Sequence, residues 1–126
     1  MSKIEDDYID HVRGHNLITA ARYGQIERLS KLVNDPLTDI HYENDTALRI
    51  SAQYNQLDAF KYLYENGANI HIMDDYILCI AAYEGHTELV KLMIDNGANI
   101  QTRNGYAKKI ASAKGHTDIV KMLEAC

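Results

Sequence analysis

Fragments of this chain return thirty residues after they first occur. Asn66-Gly67-Ala68-Asn69-Ile70 comes back as Asn96-Gly97-Ala98-Asn99-Ile100, and Gly85-His86-Thr87 comes back as Gly115-His116-Thr117. A fixed step of this size marks an array of small structural units, and it constrains the fold more than any local motif does. A unit this short cannot bury its own apolar face, so neighbouring units must stack to make a core.

Overlaid, the units each read as two helices and a short extended turn. The first helices centre on the small pairs Ala20-Ala21, Ser51-Ala52, Ala81-Ala82 and Ala111-Ser112, where small side chains let adjacent helices approach closely. A turn with Gly or Asn at its centre follows: Tyr23-Gly24-Gln25, Tyr54-Asn55-Gln56, Glu84-Gly85-His86 and Lys114-Gly115-His116. These residue types suit a helix end that needs a left-handed conformation. Thr87-Glu88 and Thr117-Asp118 open two of the second helices, with hydroxyl and carboxylate placed for the free N–H groups and the helix dipole. Apolar stripes at spacings of three and four follow: Ile26/Leu29/Leu32/Val33, Leu57/Phe60/Leu63, Val90/Met93/Ile94 and Val120/Leu123. Asp35-Pro36, Asn66-Gly67 and Asn96-Gly97 end these helices. Before the array, Ser2 and Glu5 have capping-box spacing, and Ile4, Tyr8 and Val12 share one helical face ahead of Gly14. This predicts a short capping helix.

Thr46-Ala47-Leu48-Arg49-Ile50-Ser51-Ala52, Gly85-His86-Thr87-Glu88-Leu89-Val90-Lys91-Leu92 and Asn66-Gly67-Ala68-Asn69-Ile70-His71 resemble the T-P-L-H-x-A-A, G-H-x-E-V-V-K-L-L and G-A-D-V-N segments of ankyrin repeats. The resemblance covers residues 14–126. It implies an all-α solenoid of four repeats: an extension at 1–13, repeats at 14–44, 45–74 and 75–104, and a truncated last repeat at 105–126. The step is three residues shorter than the family's usual one. The deficit falls between Ile70 and Tyr76 and between Ile100 and Tyr106, so the family's finger hairpin should shrink to a tight loop. The family's paired Thr and His become Thr46/Arg49, Tyr76/Cys79 and Tyr106/Lys109; no repeat keeps both, which implies an array less stable than a consensus one. Tyr76 and Tyr106 are assigned to packing. Thirty-residue repeats of this wording are similar to those abundant in giant DNA viruses of amoebae.

Composition narrows the use of such an array. The formal net charge is −5; residues 101–126 carry +3, leaving −8 on the first hundred. An acidic body disfavours general nucleic-acid binding, which works by neutralising phosphates. The basic Lys108/Lys109/Lys114 end is too small to reverse that. No apolar run reaches the length of a membrane span. Cys79 and Cys126 have no framework spacing and read as reduced thiols, which places the protein in the cytoplasm, of a host cell if it is viral. The Asn44-Asp45-Thr46 sequon is read as chance. No phosphate loop, nucleophile elbow or Cys-x-x-Cys occurs, so no enzyme activity and no cofactor are expected. His41/His71 and His86/His116 occupy equivalent turns, with no carboxylate or thiol taken to accompany them at ligand spacing, and are read as structural rather than as metal ligands.

The expected function is therefore presentation of a concave surface to a protein partner. Its candidate residues are Tyr23, Tyr54 and Tyr83 along the hollow, flanked by Arg22, Gln53 and Lys114, because Tyr and Arg serve well as interface anchors. The loop tips add Tyr42, Glu43 and Asp45, then Asp74 and Asp75, then Arg103, a gradient from acidic to basic. Polar residues should also cap the ends: Arg28 and Lys31 stand where later repeats have Ala59/Tyr62 and Leu89/Leu92, and Lys108 stands at the Leu48/Leu78 position. Ile119 and Met122 remain as an apolar face that could carry an alternative role, weak self-association by end-to-end stacking.

Overall fold

The computed structural model describes residues 3–126, apart from the side chains of Ile4 and Asp6. Ser2, half of the expected capping box, lies outside the described residues. Every regular element among the described residues is helical, and the chain divides into two compact units between Asn69 and Ile70. The first unit holds α1 (Lys3–Arg22), α2 (Ile26–Asn34), α3 (Tyr42–Gln53) and α4 (Leu57–Glu65). The second holds α5 (Ile72–Glu84), α6 (Thr87–Asp95), α7 (Thr102–Lys114) and α8 (Thr117–Glu124). The units share one plan. In each, the two long helices pair (α1 with α3, α5 with α7), the two short ones pair (α2 with α4, α6 with α8), and each short helix packs on its own long one.

The small pairs lie where the long helices meet: Ala20, Ala21, Ser51 and Ala52 are buried in the first unit, and Ala81, Ala82 and Ala111 in the second. Ser112 is exposed. Leu17, Leu29, Leu48, Phe60 and Leu63 fill the first core; Ile77, Leu78, Leu89, Val90, Met93 and Leu123 fill the second. Full burial of such a side chain contributes roughly 1.5–3 kcal/mol. Turn centres Gly24, Asn55, Gly85 and Gly115 all have positive φ. Asn66 and Asn96 close α4 and α6 by donating from Nδ2 to the carbonyls of Tyr62 and Leu92 (2.8 and 2.7 Å).

Along the helices the structure corrects three expectations. First, Gly14 ends nothing: α1 runs unbroken from Lys3 to Arg22. The predicted packing face is turned outward, with Tyr8 68% and Val12 38% exposed. Gly14 instead admits the Tyr42 ring, which a Cβ at that position would overlap. Second, no hydroxyl caps the second helices. Thr87 and Thr117 are the first helical residues, and His86 and His116 precede them without a side-chain cap bond. Third, Ile119 is buried (1% exposed) and Met122 half-buried. In α8 they hold the places of Leu89 and Leu92 in α6, and α8 is packed on α6 and α7. Ile119 is thus covered inside the second unit, and of the expected apolar pair only Met122 keeps part of its surface. At the corresponding positions of α2, Arg28 and Lys31 are exposed, and Arg28 donates to Gln25 and Asn16.

The clipped loop is a left-handed turn rather than an extended one. Glu43, Asn44 and Asp45 have φ of 52, 58 and 56°; Met73, Asp74 and Asp75, then Arg103, Asn104 and Gly105, repeat the shape. Left-handed residues other than Gly cost roughly 1–2 kcal/mol each, so each turn needs compensating bonds.

Candidate functional site

Those bonds come from side chains expected at the surface. Asp45 is 2% exposed. Its Oδ1 accepts from His41 Nδ1 at 2.8 Å and from the Asn69 backbone N–H at 3.2 Å, tying the left-handed turn to the start of the next loop. Asp75, 7% exposed, accepts from the equivalent partners with both oxygens, Oδ1 from His71 Nδ1 and Oδ2 from the Asn99 N–H (2.9 Å). Hydrogen bonds to a charged group contribute roughly 1.5–3 kcal/mol each, which matches the cost of the turn. Asp45 and Asp75 are therefore internal struts, not contact residues. The i,i+4 carboxylate that the sequence reading denied to His41 and His71 is present, and it is what gives them their structural task. In α7, Gln101 and Gly105 replace the pair, and glycine adopts positive φ without help. Arg49 adds to the first turn, donating to the carbonyls of Glu43 and Asn44 and to Thr46 Oγ1.

Tyr42 is half-buried and held against α1. Its ring is seated over Gly14, and its hydroxyl lies 2.7 Å from His11 Nδ1. Burial raises the phenol's pKa, and the adjacent Glu43 carboxylate raises it further. Of the loop-tip residues, Glu43, Asp74 and Arg103 remain exposed. The Arg103 guanidinium lies 5.0 Å from the Tyr76 ring centroid, so Tyr76 is packed under a cation, whereas Tyr106 is 41% exposed.

The candidates expected to line a hollow are exposed, and within each unit the structure couples cation and ring. In the first unit the Arg22 guanidinium lies 4.7 Å from the Tyr54 centroid, on the next repeat, and 5.6 Å from that of Tyr23. In the second, Lys114 Nζ lies 4.3 Å from the Tyr83 centroid. Arg22 and Tyr83 hold equivalent repeat positions, as do Tyr54 and Lys114. The same inter-repeat contact is thus made with cation and ring exchanged. Each such pair contributes about 0.5–1 kcal/mol at an exposed site. A backbone bond lies beside each: Gln56 Nε2 donates to the Arg22 carbonyl (3.0 Å), and His116 Nε2 to that of Tyr83 (3.2 Å). Gln53 is exposed beside Tyr54.

In the second unit an open cleft of about 550 Å³ is lined by Gln101, Lys108, Lys109, Ser112 and Leu123. Lys108 Nζ is 3.5 Å from Glu124 Oε1, which offsets part of the basic charge there.

Comparison with known families decides what these paired helices are. The family described as Ankyrin repeats (3 copies) matches residues 6–74, more than half of the chain, and Ankyrin repeats (many copies) matches residues 78–124. The chain belongs to the ankyrin-repeat family. No curated protein matches it. The fold class is the all-α repeat solenoid of ankyrin proteins. Ankyrin repeats generally mediate protein–protein interaction, and ankyrin-repeat proteins are typically non-enzymatic binding modules. No helix among the described residues is long and apolar enough to cross a membrane.

Proposed function

We propose that this ankyrin-repeat protein is a non-enzymatic module that binds a protein partner through the Arg22, Tyr23, Gln53 and Tyr54 patch of its first unit. Tyr83 and Lys114 form a smaller patch on the second. The observation that carries the reading is the Arg22–Tyr54 contact. Tyr54 stays 44% exposed while a guanidinium bridging two repeats holds its ring. Rings fixed before binding lose little freedom on association, and tyrosine with arginine makes an effective anchor. The loops carry exposed Glu43 on the first unit and exposed Asp74 and Arg103 on the second, so a partner of mixed charge suits them. Two free cysteines, one buried and one exposed, fit work in a reducing compartment such as the cytoplasm.

The test pairs wild-type protein with Tyr54→Ala as baits in a lysate of the source cell, with recovered proteins identified by mass spectrometry. A partner held by the wild type should bind Tyr54→Ala about ten-fold more weakly, with an unchanged circular dichroism spectrum. Equal recovery by both baits removes this patch from the interface.

A further inference from the structure

One side-chain cluster takes no part in the reading above. His11 and His15 stand four residues apart on α1, so they project one above the other from the same face. Both are exposed, and their ring centroids are 4.2 Å apart. Tyr42 closes the group from α3, its ring 6.2 and 6.1 Å from the two imidazoles. The arrangement depends on Gly14, the helix position that lets the Tyr42 ring come down onto α1.

Three features give this cluster the chemistry of a ligand set. A neutral imidazole has one donor and one acceptor nitrogen, and the Tyr42 hydroxyl engages His11 at Nδ1. With His11 Nδ1–H donating to the Tyr42 oxygen, the tautomer that a bound metal selects, Nε2 of His11 is the lone-pair nitrogen for a ligand. Histidines that bind metal typically have their other ring nitrogen held by a neighbouring group, which fixes ring orientation. The local field also favours a cation: Asp7 and Asp10 are exposed on the same helix, while Arg13 is turned to Asp35 at 3.7 Å. Two imidazoles with no close carboxylate suit zinc, nickel or copper rather than magnesium or calcium.

We propose that His11 and His15 form a two-imidazole site for a divalent transition-metal ion, with Tyr42 as the positioning residue that aims His11. Among the described residues no third His, Cys, Asp or Glu stands close enough to complete a cage. Water fills the remaining positions, and the ion exchanges readily. Binding links two successive turns of α1, so it raises the melting temperature of the protein. The proposal is independent of partner binding at Tyr54.

The full chain, stripped with a chelator, is titrated with Zn²⁺ by calorimetry and with Ni²⁺ by NMR. The expected result is one ion per chain. Ni²⁺ should broaden the ring signals of His11 and His15 first, while those of His41, His71, His86 and His116 persist. His15→Asn, at an exposed position that leaves the fold intact, should weaken Zn²⁺ binding at least about ten-fold, and Tyr42→Phe about ten-fold with unchanged stoichiometry. Metal-free melting curves check that both variants are folded. No binding of either ion, equal affinity in His15→Asn, an equal response to Mg²⁺, or broadening that begins at the other histidines would each overturn the site. Unchanged affinity in Tyr42→Phe would overturn the role given to Tyr42.

Discussion

Gly85 and Gly97 differ in surroundings but share a backbone conformation, with φ of 78 and 80°. A Cβ on Gly97 would meet nothing within 4 Å, whereas one on Gly85 would come within 2.7 Å of the His116 ring. Gly97→Ala therefore costs the left-handed penalty alone, about 1–2 kcal/mol. Gly85→Ala also displaces the ring that donates to the Tyr83 carbonyl, adding about 1 kcal/mol. Urea unfolding of the two variants should rank them in that order; equal midpoints would mean that the His116 bond contributes nothing. That these glycines close helices was legible in the chain, because a positive φ favours particular residue types wherever it occurs. That Asp45 and Asp75 are buried was not. A carboxylate after a helix end looks like any solvated loop residue until its acceptor bonds to Asn69 and Asn99, twenty-four residues on, are seen. The signal that could have found them is the His-x-x-x-Asp spacing shared by His41/Asp45 and His71/Asp75.

Among the helices, α1 departs most from its sequence pattern. Ile4, Tyr8 and Val12 have the right spacing for a packed face, yet the side that meets α3 carries His11, Gly14 and His15. Spacing alone reports that a stripe exists, not that a neighbour covers it. Replacing Gly14 tests which force governs here. In an ordinary helix Gly→Ala stabilises by roughly 0.5–1 kcal/mol. Here the added methyl must push the Tyr42 ring from its seat, so Gly14→Ala should lower the melting temperature. A rise would show that helix propensity outweighs the Tyr42 contact. The short helices show a related effect: without hydroxyl caps, the residues before α4 and α8 send their side chains back to the preceding repeat, Gln56 to Arg22 and His116 to Tyr83. First-turn carboxylates at Glu27, Asp58, Glu88 and Asp118 still complement the helix dipoles.

At the scale of the whole molecule, two buried or seated acids make stability depend on alkaline pH. Burial raises the Cys79 thiol above its ordinary value, with Asp75 adding to the rise and Arg103 opposing it; Tyr42 is raised as well. A raised folded pKa means that the unfolded chain gives up its proton first. Stability is therefore full below the ordinary thiol range, near about 8.5, and falls as pH rises through and beyond it. Urea midpoints should drop between neutral pH and about pH 10, and Cys79→Ala should drop less than the wild type. An equal fall in both would assign the effect elsewhere. The repeated helix pairs, their turn glycines and most of their core were determined by the sequence alone, because they rest on local preferences and on apolar spacing. Tertiary structure decided the rest: which turn carboxylates become struts, that Ile119 is covered, and that Arg22 on one repeat holds Tyr54 on the next. Each of these depends on which atoms stacking brings alongside a residue, and the preferences of that residue carry no information about its distant neighbour.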